Sequence, residues 1–156
     1  ISVSAFGQDE ESYFDFWVGS WDATWDEPNG KIGKGTNTIS KILDDSVILE
    51  NFVITEGQST GFKGTSISVY QKQLKTWKQS WADSQTNFFY FKGSKDGDKR
   101  IFQTDVFDLP DGKKSTQRMV FDNIETDSFI WNWESSIDGG QTWTLNWQIR
   151  YNRKQS

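Results

Sequence analysis

The sequence predicts an all-β fold, an antiparallel up-and-down β-barrel of about ten strands that follows a short helical turn. Three observations support this prediction. Turn-forming residues recur at short intervals, the chain contains 12 Phe, nine Trp and four Tyr, and no segment sustains helical periodicity for three turns. Aromatic side chains are favoured on pleated, half-buried surfaces. A two-sheet β-sandwich is the alternative fold.

Length and charge narrow the class of protein. A chain of 156 residues forms one domain that can bury a core without disulfides, and this chain has no cysteine. Its formal net charge of −5, from 17 basic and 22 acidic residues, argues against nucleic-acid binding, which needs clustered positive charge. No apolar run approaches the roughly 18 residues that cross a bilayer. We therefore expect no nucleic-acid partner and no membrane insertion.

The first residues differ in composition from the rest of the chain. Residues 1–7 are small and apolar, and they resemble the end of a secretory signal peptide, with Ala5 and Gly7 before a cut at Gln8. A disordered N-terminal arm is the alternative. The resemblance implies an exported protein, secreted or periplasmic, whose single domain spans residues 8–156.

Turn-forming residues divide the chain into candidate strands. The breaks lie at 28–30, 44–46, 56–58, 94–98, 109–113 and 137–141. They predict strands at 19–27, 31–42, 46–55, 62–72, 76–83, 87–93, 99–108, 114–123, 127–136 and 141–152. Glu11 to Trp17 fits a short helix. Because hairpin follows hairpin without crossover helices, we expect antiparallel pairing, and closing the sheet removes its edges.

Tryptophans repeat at intervals of four residues. The pairs are Trp21 and Trp25, Trp77 and Trp81, and Trp143 and Trp147. Residues four apart on a strand share one face. The same parity groups Phe129 with Trp131 and Trp133, and Trp143 with Leu145, Trp147, Ile149 and Tyr151. We expect these faces to point into the barrel.

The segment Phe14-Asp15-Phe16-Trp17-Val18-Gly19-Ser20-Trp21 carries a Gly-x-Trp pattern at the start of the first predicted strand. It resembles the opening of lipocalin-type barrels of the calycin superfamily, and is most similar to a group of bacterial lipocalin-like domains of unknown function. The resemblance covers nearly the whole chain. It implies that Gly19 and Trp21 close one end of the barrel beneath a late basic side chain. The strand number suits the fatty-acid-binding and nitrobindin-like branch.

Parity selects Arg153 as that closing residue. Arg153 shares the face of Trp147 and Tyr151, whereas Arg150 points the other way. An even-numbered last strand also ends where the first begins, so Arg153 can form a cation–π contact with Trp21. The alternative is a solvated arginine at the strand end.

The sequence excludes several kinds of active site. Without histidine or cysteine it has no Ser-His-Asp or Cys-His machinery and none of the usual zinc sites. The proximal histidine on which haem binding in nitrobindin-like barrels depends is missing too. Asp96 and Asp98 lack the ligand spacing of an EF-hand loop. We predict no metal and no cofactor.

A turn motif precedes the last predicted strand. Its residues Ser136, Asp138, Gly140, Thr142 and Trp143 match the Asp-box pattern Ser-x-Asp-x-Gly-x-Thr-Trp, which recurs in sialidases and other secreted β proteins. In sialidases this box lies away from the chemistry, and one copy argues against a repeat-built propeller. We predict a structural hairpin, with glycan contact as the alternative.

Polar residues inside apolar strands are candidates for a ligand site, because a buried charge needs a partner or a polar cavity. The candidate orienting groups are Glu50, Gln79, Asp83, Arg118 and Glu134, and the candidate aromatic walls are Tyr70, Trp81 and Trp133. For Glu50, Arg118 and Glu134 the alternative is a place on the solvated outer face, since parity is ambiguous in these strands.

These features predict a monomer or homodimer that binds a small hydrophobic or amphipathic molecule inside the barrel. An alternative is a barrel enzyme, such as an isomerase, cyclase or hydrolase, with Glu50 and Asp83 as its carboxylates. A carboxyl buried beside tryptophan without arginine would favour catalysis, whereas salt-bridged carboxylates would favour binding. A third alternative is a secreted glycan-binding module with an external row of indoles.

Overall fold

A computed structural model describes residues 9–155 of the chain. The predicted signal-peptide remnant, residues 1–7, lies outside the described residues. Two short 3₁₀ turns, Glu10–Ser12 and Asp15–Trp17, stand where the sequence predicts a short helix. Neither helix in the described part is long and apolar enough to cross a membrane.

The described residues form a closed antiparallel β-barrel of ten strands with one additional short strand. The strands are β1 (Gly19–Asp26), β2 (Ile32–Ile42), β3 (Val47–Glu56), β4 (Lys63–Gln71), β5 (Thr76–Asp83), β6 (Phe88–Asp96), β7 (Lys99–Gln103), β8 (Phe107–Asp108), β9 (Lys114–Asp122), β10 (Ser128–Ser136) and β11 (Thr144–Arg153). Strands pair in chain order except that β7 pairs with β9, against which the short β8 also lies, and the β1–β11 pairing completes the ring. The predicted up-and-down barrel is confirmed, and the sandwich alternative is wrong.

The predicted strand at 99–108 is divided in two. β7 ends at Gln103, which pairs with Arg118 of β9, and the two-residue β8 resumes at Phe107, which pairs with Ser115. The intervening segment on the β7–β8 side is one residue longer than its counterpart on β9. Such an extra residue interrupts the hydrogen-bond ladder as a β-bulge does.

Aromatic side chains from the N-terminal turns plug the end of the barrel where β1 begins. The ring of Phe14 stacks on Phe102 with centroids 4.2 Å apart and meets the edge of Trp77 at 5.1 Å. Trp17 contacts Phe121 at 5.3 Å, and all of these rings are buried. This apolar plug anchors the 3₁₀ turns to the barrel through hydrophobic burial.

Arg153 of β11 covers Trp21 of β1 at this closed end. The two residues are register partners, and the guanidinium carbon lies 4.2 Å from the centre of the buried indole. Its Nη1 and Nη2 donate hydrogen bonds to the carbonyls of Val18, at 2.9 Å, and Phe16, at 3.2 Å. Gly19 has φ +140°, and a Cβ there would lie 2.2 Å from Nη1, so only glycine leaves room. This is the arrangement that the sequence predicts.

The start of the last strand corrects two predicted positions. Trp143 and Leu145 were expected on the inner face, but Trp143 precedes β11 and Leu145 is 52% exposed. Asn146 is an extra residue between the two that pair with Trp133 and Glu134. A bulge of this kind reverses the parity of every residue before it.

Candidate functional site

The barrel contains a cavity of about 380 Å³ at the end opposite the aromatic plug. Its rim includes exposed residues of the β5–β6 turn, so the cavity opens to solvent there. The lining consists of Glu50, Phe52, Phe62, Trp81, Asp83, Gln85, Asn87, Phe89, Phe91, Gln117, Met119, Trp131, Trp133, Trp147, Ile149 and Tyr151. Most of these side chains are apolar, and four are tryptophans.

The tryptophans form a connected aromatic wall. Trp131 and Trp133 lie side by side on β10, with ring planes 6° apart and centroids separated by 6.3 Å. Trp147 of β11 stands at 86° to Trp131 with a centroid distance of 5.8 Å. Phe89 of β6 meets Trp133 edge to face at 5.7 Å. These contacts fix the ring orientations on one side of the cavity.

Glycines in neighbouring strands make room for two further indoles. A Cβ on Gly64 of β4 would lie 2.0 Å from the ring of Trp81, and one on Gly33 of β2 would lie 2.2 Å from the ring of Trp25. Both distances are far shorter than any real carbon contact, so the rings pack directly on the backbone. Glycine in a strand interior is expected where another group approaches this closely.

Glu50 is the buried carboxyl of the cavity, only 7% exposed. Its Oε1 accepts a hydrogen bond from Asn37 Nδ2 at 2.8 Å, and its Oε2 accepts one from the Ser66 hydroxyl at 2.6 Å. No ion pair in the described part of the chain involves this residue. Burial raises the pKa of Glu50 to about 7, although the hydrogen bonds from Ser66 and Asn37 act to lower it.

Further polar groups surround Glu50 inside the barrel. Within residues 9–155, Asn37 Oδ1 and Gln79 Oε1 are buried acceptors without a hydrogen-bond partner. Gln79 Nε2 donates to the Ser68 hydroxyl at 2.8 Å. Burial, and then the charge of Glu50, raise the pKa of Tyr151 well above its ordinary value, although a side-chain interaction with Asn37 acts to lower it. The Tyr151 hydroxyl is a donor next to Asn37, so Gln79 Oε1 is the clearer case of a buried acceptor without a donor.

Asp83 lies at the mouth of the cavity with its oxygens already engaged. They accept hydrogen bonds from Trp81 Nε1 at 3.1 Å and from the backbone amides of Gln85 and Asn87 at 2.9 and 3.1 Å. Partial burial acts to raise the pKa of Asp83, but the hydrogen bonds hold it below its ordinary value. Asp83 therefore fixes the β5–β6 turn and the Trp81 ring.

The predicted ligand residues fall into three groups. Glu50, Trp81, Asp83 and Trp133 line the cavity. Gln79 is buried inside the barrel beside Ser68 without lining the cavity. Tyr70, Arg118 and Glu134 lie elsewhere in the molecule.

Tyr70 was expected as a cavity wall, but it lies at the closed end. Its hydroxyl donates to Glu10 Oε2 at 2.9 Å, and its ring packs on Trp77 at 5.8 Å. Tyr70 lies there because it is near the end of β4 that reaches the aromatic plug. Tyr70 therefore holds the N-terminal turns to the barrel.

Arg118 and Glu134 were expected as orienting groups inside the cavity, but they lie on the outer face. Arg118 Nε and Glu134 Oε2 form a salt bridge of 2.5 Å. The Arg118 guanidinium also covers the Trp143 ring at 3.9 Å. Their strand neighbours Met119 and Trp133 point into the cavity, so strict alternation sends these two charges outward.

The turn at 136–143 is a self-contained hydrogen-bond network. Asp138 Oδ1 accepts from the Ser136 hydroxyl at 2.7 Å and from the amides of Gln141 and Thr142 at 3.0 and 2.9 Å. The amide of Gly140 donates to Ser136 Oγ at 2.8 Å. Hydrogen bonds from Thr142 first, then those from Ser136 and Gln141, hold the pKa of Asp138 well below its ordinary value. These bonds delay the start of β11, because they occupy the amides ahead of it.

The sequence did not identify several residues that line the cavity or hold Glu50 behind its wall. Phe52 shares the parity of Glu50, so that signal was present but not used. Trp147 was placed on the inner face without being assigned to a binding site. Asn37 and Ser66 had no local signal, because only the strand register brings them to Glu50.

A second depression lies outside the closed end of the barrel. It measures about 580 Å³ and includes Phe16, Arg100 and Asp122. One of the carboxyl groups that line it, Asp122, pairs with Lys99 at 3.3 Å. Among residues 9–155, no group of three or more histidine, cysteine, aspartate or glutamate side chains is placed to hold a metal ion.

No protein-family model matches the chain, and no curated protein matches it. The functional inference therefore rests on the barrel cavity and its side chains. Their most informative features are the tryptophan wall and the buried carboxyl of Glu50.

Proposed function

We propose that the protein binds a small hydrophobic or amphipathic molecule in the barrel cavity. The observation that carries this proposal is an open cavity of about 380 Å³ walled by four tryptophans. Small-molecule sites are concave and mostly apolar, with a few polar groups that orient the ligand. Glu50 provides such a group away from the rim.

Preorganisation of the walls supports the same proposal. Edge and stacking contacts hold Trp131, Trp133 and Trp147, and Asp83 holds Trp81 by a hydrogen bond of 3.1 Å. Side chains that are already ordered lose little conformational entropy when a ligand arrives. More of the apolar contact energy is then available for binding.

Membership of the lipocalin-like barrels is a second part of the proposal. It is supported by the closed barrel and by Arg153 lying over Trp21 beside Gly19. Export to the periplasm or the exterior rests on residues 1–7 alone and stays a prediction.

Catalysis by a carboxyl is the second candidate function, and Glu50 favours it. Glu50 is buried in the cavity without a basic partner among the described residues, and its pKa of about 7 suits a general acid or base near neutral pH. Asp83 is a poor catalytic partner, because its oxygens hold the β5–β6 turn. An isomerase, cyclase or hydrolase would therefore depend on Glu50 alone.

Product analysis tests this second candidate. Each ligand that binds is incubated with the wild-type protein and with Glu50→Gln, and the ligand is then followed by NMR. Catalysis predicts a new product whose formation slows about a hundredfold or more in the variant while binding persists. Unchanged ligands throughout, or equal rates for both proteins, would count against an enzyme.

The glycan-binding alternative has less support. Its expected external row of indoles is not present in residues 9–155, because the tryptophans are buried or half-buried. Trp143 of the 136–143 turn lies against the outer face, and Arg118 covers its ring.

Titration with the neutral fluorescent probe N-phenyl-1-naphthylamine tests the proposed binding. We expect a saturable rise in probe emission that other lipophilic molecules reverse by competition. Trp133→Leu should weaken binding roughly tenfold because it removes a wall indole. Trp143→Leu is the matched control on the outer face and should leave the affinity within about twofold. The absence of saturable binding across the probe and a chemically broad panel would overturn the proposal.

A further inference from the structure

The cavity walls carry acidic side chains but no basic one. Glu50 and Asp83 are among the lining residues, no lysine or arginine is, and the chain has no histidine. The arginine on the strand that contributes Met119 is Arg118, which is paired outside with Glu134. An anionic head group would therefore lose its hydration without meeting a counter-charge, which is costly.

The indole faces add negative potential to the same space. Trp131 and Trp133 present parallel rings, and Trp147 stands perpendicular to them. The face of an aromatic ring carries partial negative charge, and tryptophan is the best of the aromatic residues for binding a cation. Several indoles around one cavity are the arrangement in which proteins hold organic ammonium groups.

The polar groups around Glu50 add acceptors and no positive charge. Asn37 is only 1% exposed, and its Oδ1 has no hydrogen-bond partner among the described residues. The same side chain donates to Glu50 at 2.8 Å, so this acceptor lies beside the carboxyl. Asn37 itself does not line the cavity, so a ligand meets Glu50 there, and a charged hydrogen-bond donor would balance an ionised Glu50.

We propose that the cavity selects an amphipathic organic cation, with its ammonium group near Glu50 and its apolar body against the indole faces. This inference rests on the proposed function, because it names the chemical class of the molecule that the cavity takes. It identifies Glu50 as the counter-charge and the tryptophans as both wall and cation site.

Ion pairing with such a ligand changes the protonation of Glu50. The groups that face Glu50 are Asn37 of β2 and Ser66 of β4, on the strands that flank β3, and Tyr151 of β11; none of them is cationic. The pKa of about 7 in the free protein means that Glu50 holds its proton at lower pH. Arrival of the ammonium group favours the carboxylate, so the carboxyl proton leaves to solvent as the ion pair forms.

Calorimetric titration with octylammonium, 1-octanol and octanoate tests the inference, because the three share one chain and differ in charge. Each is used below the concentration at which it forms micelles. We expect octylammonium to bind at least about tenfold more tightly than octanoate at about pH 8. Octanoate binding as well as octylammonium would overturn the cation inference while leaving the proposed function intact. Failure of all three to bind would overturn the cation inference, and only the further absence of binding by N-phenyl-1-naphthylamine and the broad panel would contradict the proposed function.

Proton linkage gives a second measurement. The affinity for octylammonium should rise about tenfold between about pH 6 and about pH 8, on either side of the Glu50 pKa. At about pH 6, comparison of buffers with different ionisation enthalpies should show release of close to one proton per ligand. Octanoate should show no such rise. A pH-independent affinity for octylammonium would contradict the role of Glu50.

Charge removal at matched positions completes the test. Glu50→Gln keeps the shape of the side chain and should weaken octylammonium binding at about pH 8 about tenfold more than it weakens 1-octanol binding. Glu56→Gln removes the same charge from an exposed site on the same strand and should have no effect. Equal losses for both probes in Glu50→Gln would indicate a packing role and overturn the assignment. The three-probe comparison on the wild-type protein remains decisive if this variant folds poorly.

Discussion

Glu50 is a carboxyl held by two neutral donors, Asn37 and Ser66, inside an apolar barrel. Hydrogen bonds of this kind stabilise a carboxylate, but they do not replace the hydration that burial removes. The raised pKa of about 7 reflects that imbalance. A ligand cation restores the missing charge, whereas an empty site favours the protonated acid.

The free energy of unfolding should depend on pH because of Glu50. The folded-state pKa of about 7 lies above the ordinary value of 4.5, so the unfolded chain ionises first as pH rises. Stability is therefore lost between these two values and levels off above the folded pKa. Glu50→Gln lacks this loss. The free energy of unfolding of the variant minus that of the wild type should therefore increase by about 3 kcal/mol between about pH 4 and about pH 8.

Urea unfolding across this pH range measures the difference directly. Glu56→Gln serves as the control, because Glu56 is exposed and pairs with Lys34 at 3.0 Å on the surface. Its difference from wild type should stay nearly flat with pH. If the difference in free energy of unfolding between Glu50→Gln and the wild type also stayed constant with pH, the pKa of Glu50 would not be raised by folding.

At the scale of the element, β1 and β11 close the barrel by backbone pairing, and the Trp21–Arg153 side-chain pair covers the closed end. Arg153→Ala removes the cation–π contact and the hydrogen bonds to Val18 and Phe16, and should cost about 2 kcal/mol. Trp21→Ala removes a fully buried indole and should cost on the order of 3–5 kcal/mol. In the Trp21→Ala background the cost of Arg153→Ala should fall by about 1 kcal/mol. Denaturant unfolding of the four proteins measures this cycle, and additive losses would contradict the contact.

The contact that closes the barrel was predictable because short sequence patterns determine it. Gly19 and Trp21 stand together in the sequence, and regular alternation from Trp147 to Arg153 fixes the face of the arginine. The same alternation misplaced Leu145, because nothing in the sequence marks the bulge at Asn146. Parity predicts a face only while the strand stays regular.

The binding site was predictable only in part for a related reason. Trp81 and Trp133 were identified as walls from their strand environment. Asn37 and Ser66 reach Glu50 through pairings across three strands, and a single sequence does not specify that register. Arg118 could not be assigned to a face, because its strand is apolar on both sides.

At the scale of the whole molecule, the two ends of the barrel differ in structure. The N-terminal turns fill one end with Phe14 and Trp17, while the other end keeps a cavity open to solvent. The nine tryptophans report on both regions, because some lie in the plug and others in the cavity wall.

NMR of the indole N–H groups during titration with N-phenyl-1-naphthylamine tests the central claim most directly. Binding in the cavity predicts saturable shifts for the signals of Trp81, Trp131, Trp133 and Trp147. The signals of the plug residue Trp17 and of Trp143 on the outer face should stay nearly unchanged. Saturation without movement of the four cavity signals, or with the largest shift at Trp143, would place the ligand outside the barrel and contradict the account.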